Sequence, residues 1–246
     1  LGGDPLQPKQ LAALGCRVEN DIIGVESGLM DQLAVACGVE GHALLIDCRT
    51  TAVELVALPR RAEILILDTG IRRALTGSEY NRRRAECRSA LAKLQAVEPT
   101  LNNLRDVTMD MVDARSDVLG PAEFRRVRHV VAENSRVLLA ASALKRDDLT
   151  EFGRLMYASH VSLRDDFEVS GPELDLMVSL AAAQAAVFGA RLTGAGFGGC
   201  AVALVEAGSA ASVASAVAGK YRRETGHPSN TYVCRPDFGA RIIALA

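Results

Sequence analysis

With 246 residues, 49% of them hydrophobic and 24% charged, the chain is long enough to bury one large core or two modest ones without disulfide or metal staples. Its 28 basic and 30 acidic side chains nearly cancel, which leaves no global field to attract nucleic acid or an anionic membrane. No apolar run reaches the ~18 residues needed to span a bilayer, and the opening LGGDPLQPKQ lacks the charged-then-apolar plan of a signal peptide; the expectation is a cytoplasmic protein. The six cysteines, at 16, 37, 48, 87, 200 and 234, form no C-x-x-C pair, and the four histidines do not cluster beside them. Reduced thiols are expected rather than a metal centre.

In chain order, PKQLAALG (8–15) reads as the end of a helix stopped by Gly15, and a second helix starts near Ser27. HALLIDCR (42–49) and VELVALP (53–59) alternate as a strand pair around a short turn. Arg60-Arg61 begins a linker, and EILILDTG (63–70) is a continuous apolar run that suits a buried strand. Ser78 is placed to cap a helix through EYNRRRAECRSALAKLQAV, with Tyr80, Cys87, Leu91 and Leu94 on or near one face and the arginines on a solvated one. Pro121 opens a helical block over 121–144 that turns Val127, Val130, Val131, Val137, Leu138 and Ala141 inward. A helix over 148–167 follows. Ser170 and Glu173 have capping-box spacing, which predicts a helix over 171–188 stopped by Gly189. The end of the chain is a glycine loop running into an apolar strand (190–206), a small-residue helix, and a last strand, TYVCRP. Strands alternating with helices over such separations predict an α+β sandwich with an antiparallel sheet.

Two features bear on chemistry. The stretch ENDIIGVESGLMDQLAVACG (19–38) sets Glu19 and Asp31 in glycine-rich, apolar surroundings. With Ser27 as N-cap, Asp31 falls just after the first turn of its helix, where the N-terminal partial charge favours the anion by roughly 0.3–1 kcal/mol. Spacing alone leaves open whether Asp31 only complements that dipole. LTGAGFGGC (192–200) has four glycines in nine residues, which lets backbone approach a ligand and turn its N–H groups toward an anion. No Gly-Lys-Ser/Thr follows, so it is no Walker loop, and a strand rather than a helix comes next, so it is no dinucleotide fingerprint. A plain glycine-rich turn or bulge fits equally well. Tyr80 reads as a half-buried aromatic with its hydroxyl at the rim, Asp165-Asp166 as salt-bridged or capping carboxylates, and His129 and His160 as satisfied structural side chains.

Taken together, VENDIIGVESGLMDQ (18–32), HALLIDCR (42–49), LTGSEYNRRRAEC (75–87), RVRHVVAEN (126–134), SHVSLRDDFEVSGPELD (159–175) and GARLTGAGFGGCAVALV (189–205) resemble the GHMP family of small-molecule kinases. The S-E-Y-N-x-R-R and S-H-x-S-L-R-D-D-F-E-V-S blocks are similar to its galactokinase branch in particular. The resemblance implies a GHMP-type α+β fold: a remnant of the N-terminal domain over 1–60, and a ferredoxin-like C-terminal domain with an antiparallel sheet over 61–246. It implies ATP-dependent phosphorylation of the anomeric hydroxyl of galactose, with galactose and ATP as partners and Mg²⁺ as cofactor. Asp31 then matches the proton acceptor, Glu19 a ligand of the ATP-bound magnesium, and Tyr80 and Gly28 the sugar contacts. The loop around Thr193, Gly194 and Gly196 matches the one that closes over the reaction centre.

The family's signature segment of the G-R-V-N-L-I-G-E-H type and its P-x-G-x-G-L-S-S-S phosphate loop do not occur in these residues, and the chain opens on Leu1. The expectation is the C-terminal portion of such a kinase, inactive by itself and prone to self-association through surface that truncation exposes. A kinase for N-acetylgalactosamine or another hexose, a non-catalytic galactose/ATP sensor, and an inactive remnant are the alternatives.

Overall fold

The chain divides between Arg60 and Arg61: residues 1–60 together with 235–246 make one compact unit, and Arg61–Cys234 make a second. The computed structural model describes residues 6–24, 28–72 and 76–241, the side chains of 76–78 excepted. Ser78 as a capping side chain and Ser27 as an N-cap therefore lie outside the described residues.

In the first unit, helix α1 (Pro8–Arg17) runs without a break into a π-helical stretch, Val18–Ile23, and ends at Gly24, which has φ 78° and donates its N–H to Glu19 O. Gly15 is thus not a stop. A Cβ at that position would lie 3.4 Å from Gln32 Cγ, so its small size serves the packing of helix α2 (Met30–Cys37). Strands β1 (His42–Asp47) and β2 (Ala52–Ala57) form the expected antiparallel hairpin, His42 opposite Ala57 and Asp47 opposite Ala52. Asp47 Oδ1 accepts from Arg49 N–H at 2.9 Å to close its turn. A small core of Ala12, Leu33 and Ala36 meets Ile46 and Val53 of the hairpin. Residues 236–240 return to the end of α2, where Gly239 N–H bonds Gly38 O at 2.8 Å and Ala240 N–H bonds Val35 O at 2.7 Å. Carbonyls at a helix end otherwise left without intrahelical partners are satisfied in this way.

The second unit is built on a four-stranded antiparallel sheet. Strand β3 (Ala62–Asp68) lies inside it, between β5 (Cys200–Glu206) and β6 (Asn230–Cys234), while β4 (Val187–Leu192) flanks β5 on the far side. Leu65 and Leu67 of β3 are fully buried, as the apolar run over 63–70 predicts. Helices α3 (Thr76–Val97), α4 (Met109–Ala114), α5 (Pro121–Lys145), α6 (Leu149–Asp165), α7 (Pro172–Ala182) and α8 (Ala210–Thr225) complete the unit. Helices α7 and α8 share a core with the sheet through Met177, Ala181, Val213 and Val217. Tyr221 of α8 is fully buried and donates its hydroxyl to Thr69 O at 2.9 Å. Ala90, Leu94, Val112, Val127 and Val131 form a second core among α3, α4 and α5. The α+β architecture with an antiparallel sheet is as expected.

Three local expectations are corrected. The helix beginning at Pro172 ends at Ala182 rather than 188, and Gly189 sits inside β4. A Cβ on Gly189 would come within 2.4 Å of Gly153 Cα, and one on Gly153 within 1.8 Å of Phe188 O, so both glycines exist for the contact of α6 with β4. Val137 and Leu138 of α5 are 44% and 63% exposed instead of interior, because only the stretch around residues 126–131 and the segment near Ala141–Leu144 face a core. Arg83 is buried rather than solvated, since its guanidinium bonds the carbonyls of Phe167 and Glu168 at 2.7 and 2.9 Å.

His129 and His160 are structural, as expected. His129 Nδ1 lies 2.9 Å from Ser162 Oγ and its ring stacks on Phe167 at 4.5 Å. His160 Nδ1 accepts from Leu192 N–H at 3.3 Å, and its Nε2 is 3.2 Å from Asp175. Burial pushes the His129 pKa down from 6.5 to about 4. Between those values the unfolded chain binds the proton and the folded chain does not, so this contribution is complete above pH 6.5 and is lost as pH falls toward 4. One group titrating only in the unfolded state gives a slope of about 1.4 kcal/mol per pH unit. Urea unfolding at several pH values across this window should show wild-type stability falling more steeply than that of His129→Gln; parallel slopes would contradict a neutral buried His129.

Candidate active site

In the first unit the unwinding of α1 into a π-helical stretch carries Glu19 toward α2, where Gln32 Nε2 donates to Glu19 Oε2 at 2.7 Å. The neighbouring Asn20 turns its amide back to Cys16, donating to the carbonyl at 2.9 Å. Gln32 directly follows Asp31, so this hydrogen bond ties Glu19 to the first turn of α2. Asp31 is the second residue of that helix and exposed; it lies within the first turn rather than just after it, because the helix begins at Met30 with Leu29 as N-cap. Gly28 is exposed, and a Cβ there would meet nothing within 4 Å, so no packing against the described residues demands a glycine.

An oxygen-rich donor set stands at this corner. Beside the Glu19 carboxylate, Gln32 Oε1 is buried with no hydrogen-bond partner among the described residues. Hard oxygens of this kind fit Mg²⁺, which takes one or two protein ligands and completes its shell with water and substrate phosphates. Among the described residues no group of three or more His, Cys, Asp or Glu side chains is placed to hold a metal ion.

In the second unit residues 193–199 connect β4 to β5. Gly194, Gly196, Phe197, Gly198 and Gly199 have φ of 77°, 82°, 59°, 135° and 77°, so five of the seven residues are left-handed, where a side chain costs roughly 1–2 kcal/mol. Two close approaches shape the loop: a Cβ on Gly196 would sit 2.1 Å from Val169 O, and one on Gly198 2.8 Å from Ile71 O. The same carbonyls hold it, Val169 O accepting from Phe197 N–H at 2.7 Å and Ile71 O from Gly199 N–H at 3.0 Å. Thr69 anchors the base by donating both its N–H and its hydroxyl to Gly199 O, at 2.9 and 2.7 Å. Gly194, at the outer end, has nothing within 4 Å of a Cβ.

Ile71, Arg72 and residues 193–200 line an open depression of about 430 Å³. Arg72 grips Asp68 with two bonds, 2.9 and 2.7 Å, and this guanidinium holds the Asp68 carboxyl below the usual carboxylate range. Arg72 itself is 69% exposed at the side chain. An exposed guanidinium beside glycine backbone suits an anionic oxygen ligand.

The structure thus ties Glu19 to Gln32, the neighbour of Asp31, in the first unit, and places Thr193, Gly194 and Gly196 in one loop of the second. Tyr80 stands on α3, 38% exposed, and does not line the depression. Gln32, Asp68 and Arg72 were not singled out from sequence. For the last pair the Asp-x-x-x-Arg spacing at the end of an apolar run was the available signal. Asp166 accepts from Arg128 and, at 3.1 Å, from Ser162, while Asp165 pairs with Arg164 at 2.7 Å, the salt-bridged role expected of them.

Comparison with known proteins defines the class. Residues 140–223 match the family GHMP kinases C terminal, and the chain has the GHMP kinase fold. Within the class it is similar to galactokinases: it is 45% identical over 231 residues to the galactokinase of Roseiflexus sp. (strain RS-1), covering 94% of this chain and 59% of that protein. It superposes on the crystal structure of Lactococcus lactis galactokinase complexed with galactose with a TM-score of 0.90 and 42% identity, covering 95% of this chain and 61% of that one. The chain spans about three-fifths of the length of these relatives. Mevalonate kinase of L. major, solved with R-mevalonate, shares the fold at a TM-score of 0.55 and 20% identity over 96% of this chain and 60% of that one. Among the described residues no helix is long and apolar enough to cross a membrane.

The two glycines of the loop separate conformational strain from close approach. Gly194→Ala should lower stability by about 1–2 kcal/mol through its left-handed φ alone. Gly196→Ala should cost about 1–3 kcal/mol more, because its methyl group meets Val169 O. Denaturant melts of both variants check this; equal losses would show that Gly196 is not pressed against Val169.

Proposed function

We propose that this chain is the part of a galactokinase that carries the proton acceptor, a magnesium ligand and the glycine loop, and that the protein transfers the γ-phosphoryl group of ATP to the anomeric hydroxyl of galactose, giving galactose 1-phosphate. The observation that carries the proposal is 45% identity to a galactokinase along 94% of the chain. The superposition on a galactokinase holding galactose supports it.

In phosphoryl transfer the protein mainly positions reactants and stabilises charge. Asp31, exposed on the first turn of α2, orients the sugar hydroxyl and takes its proton late, as the phosphoryl group moves away from ADP. Glu19, steadied by Gln32, would hold Mg²⁺, which when bound would supply positive charge against the nucleotide phosphates. Tyr80 and the backbone of Gly28 contact the sugar hydroxyls. The loop at Thr193, Gly194 and Gly196 turns backbone toward the reacting groups, and Arg72 offers a cation at its mouth. The signature and phosphate-loop segments of the family do not occur in these 246 residues, and we infer that the residues alone do not turn over.

Positioned general bases contribute about 10²–10⁴-fold. In the protein that carries this chain, Asp31→Ala should lower galactose phosphorylation, followed by ³¹P NMR of galactose 1-phosphate, by at least that lower figure while nucleotide affinity by calorimetry is retained. Undiminished turnover would remove Asp31 from the mechanism.

A further inference from the structure

Apart from Tyr80, the S-E-Y-N-x-R-R, R-V-R-H and S-H-x-S-L-R-D-D-F-E-V-S segments contribute no group to the chemistry above. Their buried side chains nevertheless converge on one place, the turn after α6. Arg83 donates to Phe167 O at 2.7 Å and to Glu168 O at 2.9 Å, and Arg126 donates to Asp166 O at 2.5 Å. Three successive carbonyls are thus held by two guanidinium groups from different helices, and these side chains are only 8% and 2% exposed. The charges are matched locally. Arg126 bonds Glu86 and Glu168, each at 2.6 Å, and Arg125 bonds the second oxygen of Glu168 at 2.7 Å.

The next residue along this turn is Val169, whose carbonyl accepts the Phe197 N–H and stands against Gly196. Glu168 is itself left-handed, with φ 55°, so the direction of the Val169 carbonyl depends on a backbone conformation that the arginines hold in place. Phe197 touches the device a second time: its ring centroid lies 6.0 Å from Arg83 Cζ, and its ring packs on Leu163, Val169, Leu174 and Leu192. The near end of the loop is braced as well, because His160 accepts the Leu192 N–H immediately before Thr193.

A buried ion cluster stabilises a fold no better than apolar packing of the same volume, and its best-supported use is to specify one geometry. A non-glycine residue held at positive φ next to a functional loop indicates stored strain with a purpose. We propose that Arg83 and Arg126 are positioning residues for the glycine loop: by fixing residues 166–169 they aim the Val169 carbonyl at Phe197, hold Phe197 left-handed, and so set the direction in which residues 193–196 present their backbone. The purpose assigned to this device rests on the loop facing the reaction centre, as proposed above.

Amide hydrogen exchange on the 246-residue chain, followed by NMR, tests the device without ligand or turnover, so its outcome is separate from that of the kinase proposal. Lysine at position 83 keeps the charge but lacks the fork that reaches two carbonyls. In Arg83→Lys the protection of Phe197 N–H should fall by about tenfold or more, while Leu65 and Leu67 in β3 change by less than about twofold, since opening is local. Glu168→Gln, which weakens the hold of Arg125 and Arg126 from an accessible side chain, should give the same selective loss and serves alone if Arg83→Lys does not fold. Unchanged protection at Phe197, or an equal loss at Phe197, Leu65 and Leu67, would overturn the proposal.

Discussion

Two backbone hydrogen bonds, Phe197 N–H to Val169 O and Gly199 N–H to Ile71 O, fix the geometry of the second unit's glycine loop. Residues 193–199 take up left-handed backbone at five of seven positions, a conformation that no chain adopts without glycine or outside support. Glycine supplies the freedom at four of them, and the two carbonyls convert that freedom into a single shape. Each carbonyl lies where a Cβ would otherwise be, so the absence of side chains and the presence of the clamp are one requirement. The turn after α6, the end of β3 with Thr69, and the buried arginines of α3 and α5 all bear on these two acceptors.

The first unit uses a different device toward a similar end. Here the helix backbone itself is altered: α1 widens into a π-helical stretch, and widened turns of this type are common at functional sites. The widening brings Glu19 to Gln32 and couples it to the helix start that bears Asp31. Polar groups are held by side chains in one unit and by main chain in the other. Glu19 is thereby fixed at its corner, and the backbone of residues 193–199 is fixed in its loop.

What the sequence made legible follows from how local each cause is. The β1–β2 hairpin, the buried strand β3, the helices opening at Pro121 and Asp148, and the glycine loop all rest on periodicity or on residues adjacent in the chain. Glycines were misread wherever their reason was remote: Gly15 and Gly189 look like helix stops, but each is small because another element packs on it. Arg83 sits among other arginines, and nothing nearby in sequence shows that its acceptors are the carbonyls of Phe167 and Glu168. Val137 and Leu138 follow an apolar helical pattern, yet among the described residues they stay exposed. The acidic residues of the candidate site were found through family motifs, whereas Gln32 and Arg72, which act through single hydrogen-bonded partners, carried no such signal.

Scalar couplings transmitted through hydrogen bonds test the clamp most directly. In a uniformly labelled sample, couplings from the Phe197 amide nitrogen to the Val169 carbonyl carbon and from the Gly199 amide nitrogen to the Ile71 carbonyl carbon should both be observed. If both are absent while couplings across the β3–β5 ladder are plainly resolved, the loop is not held in the way described.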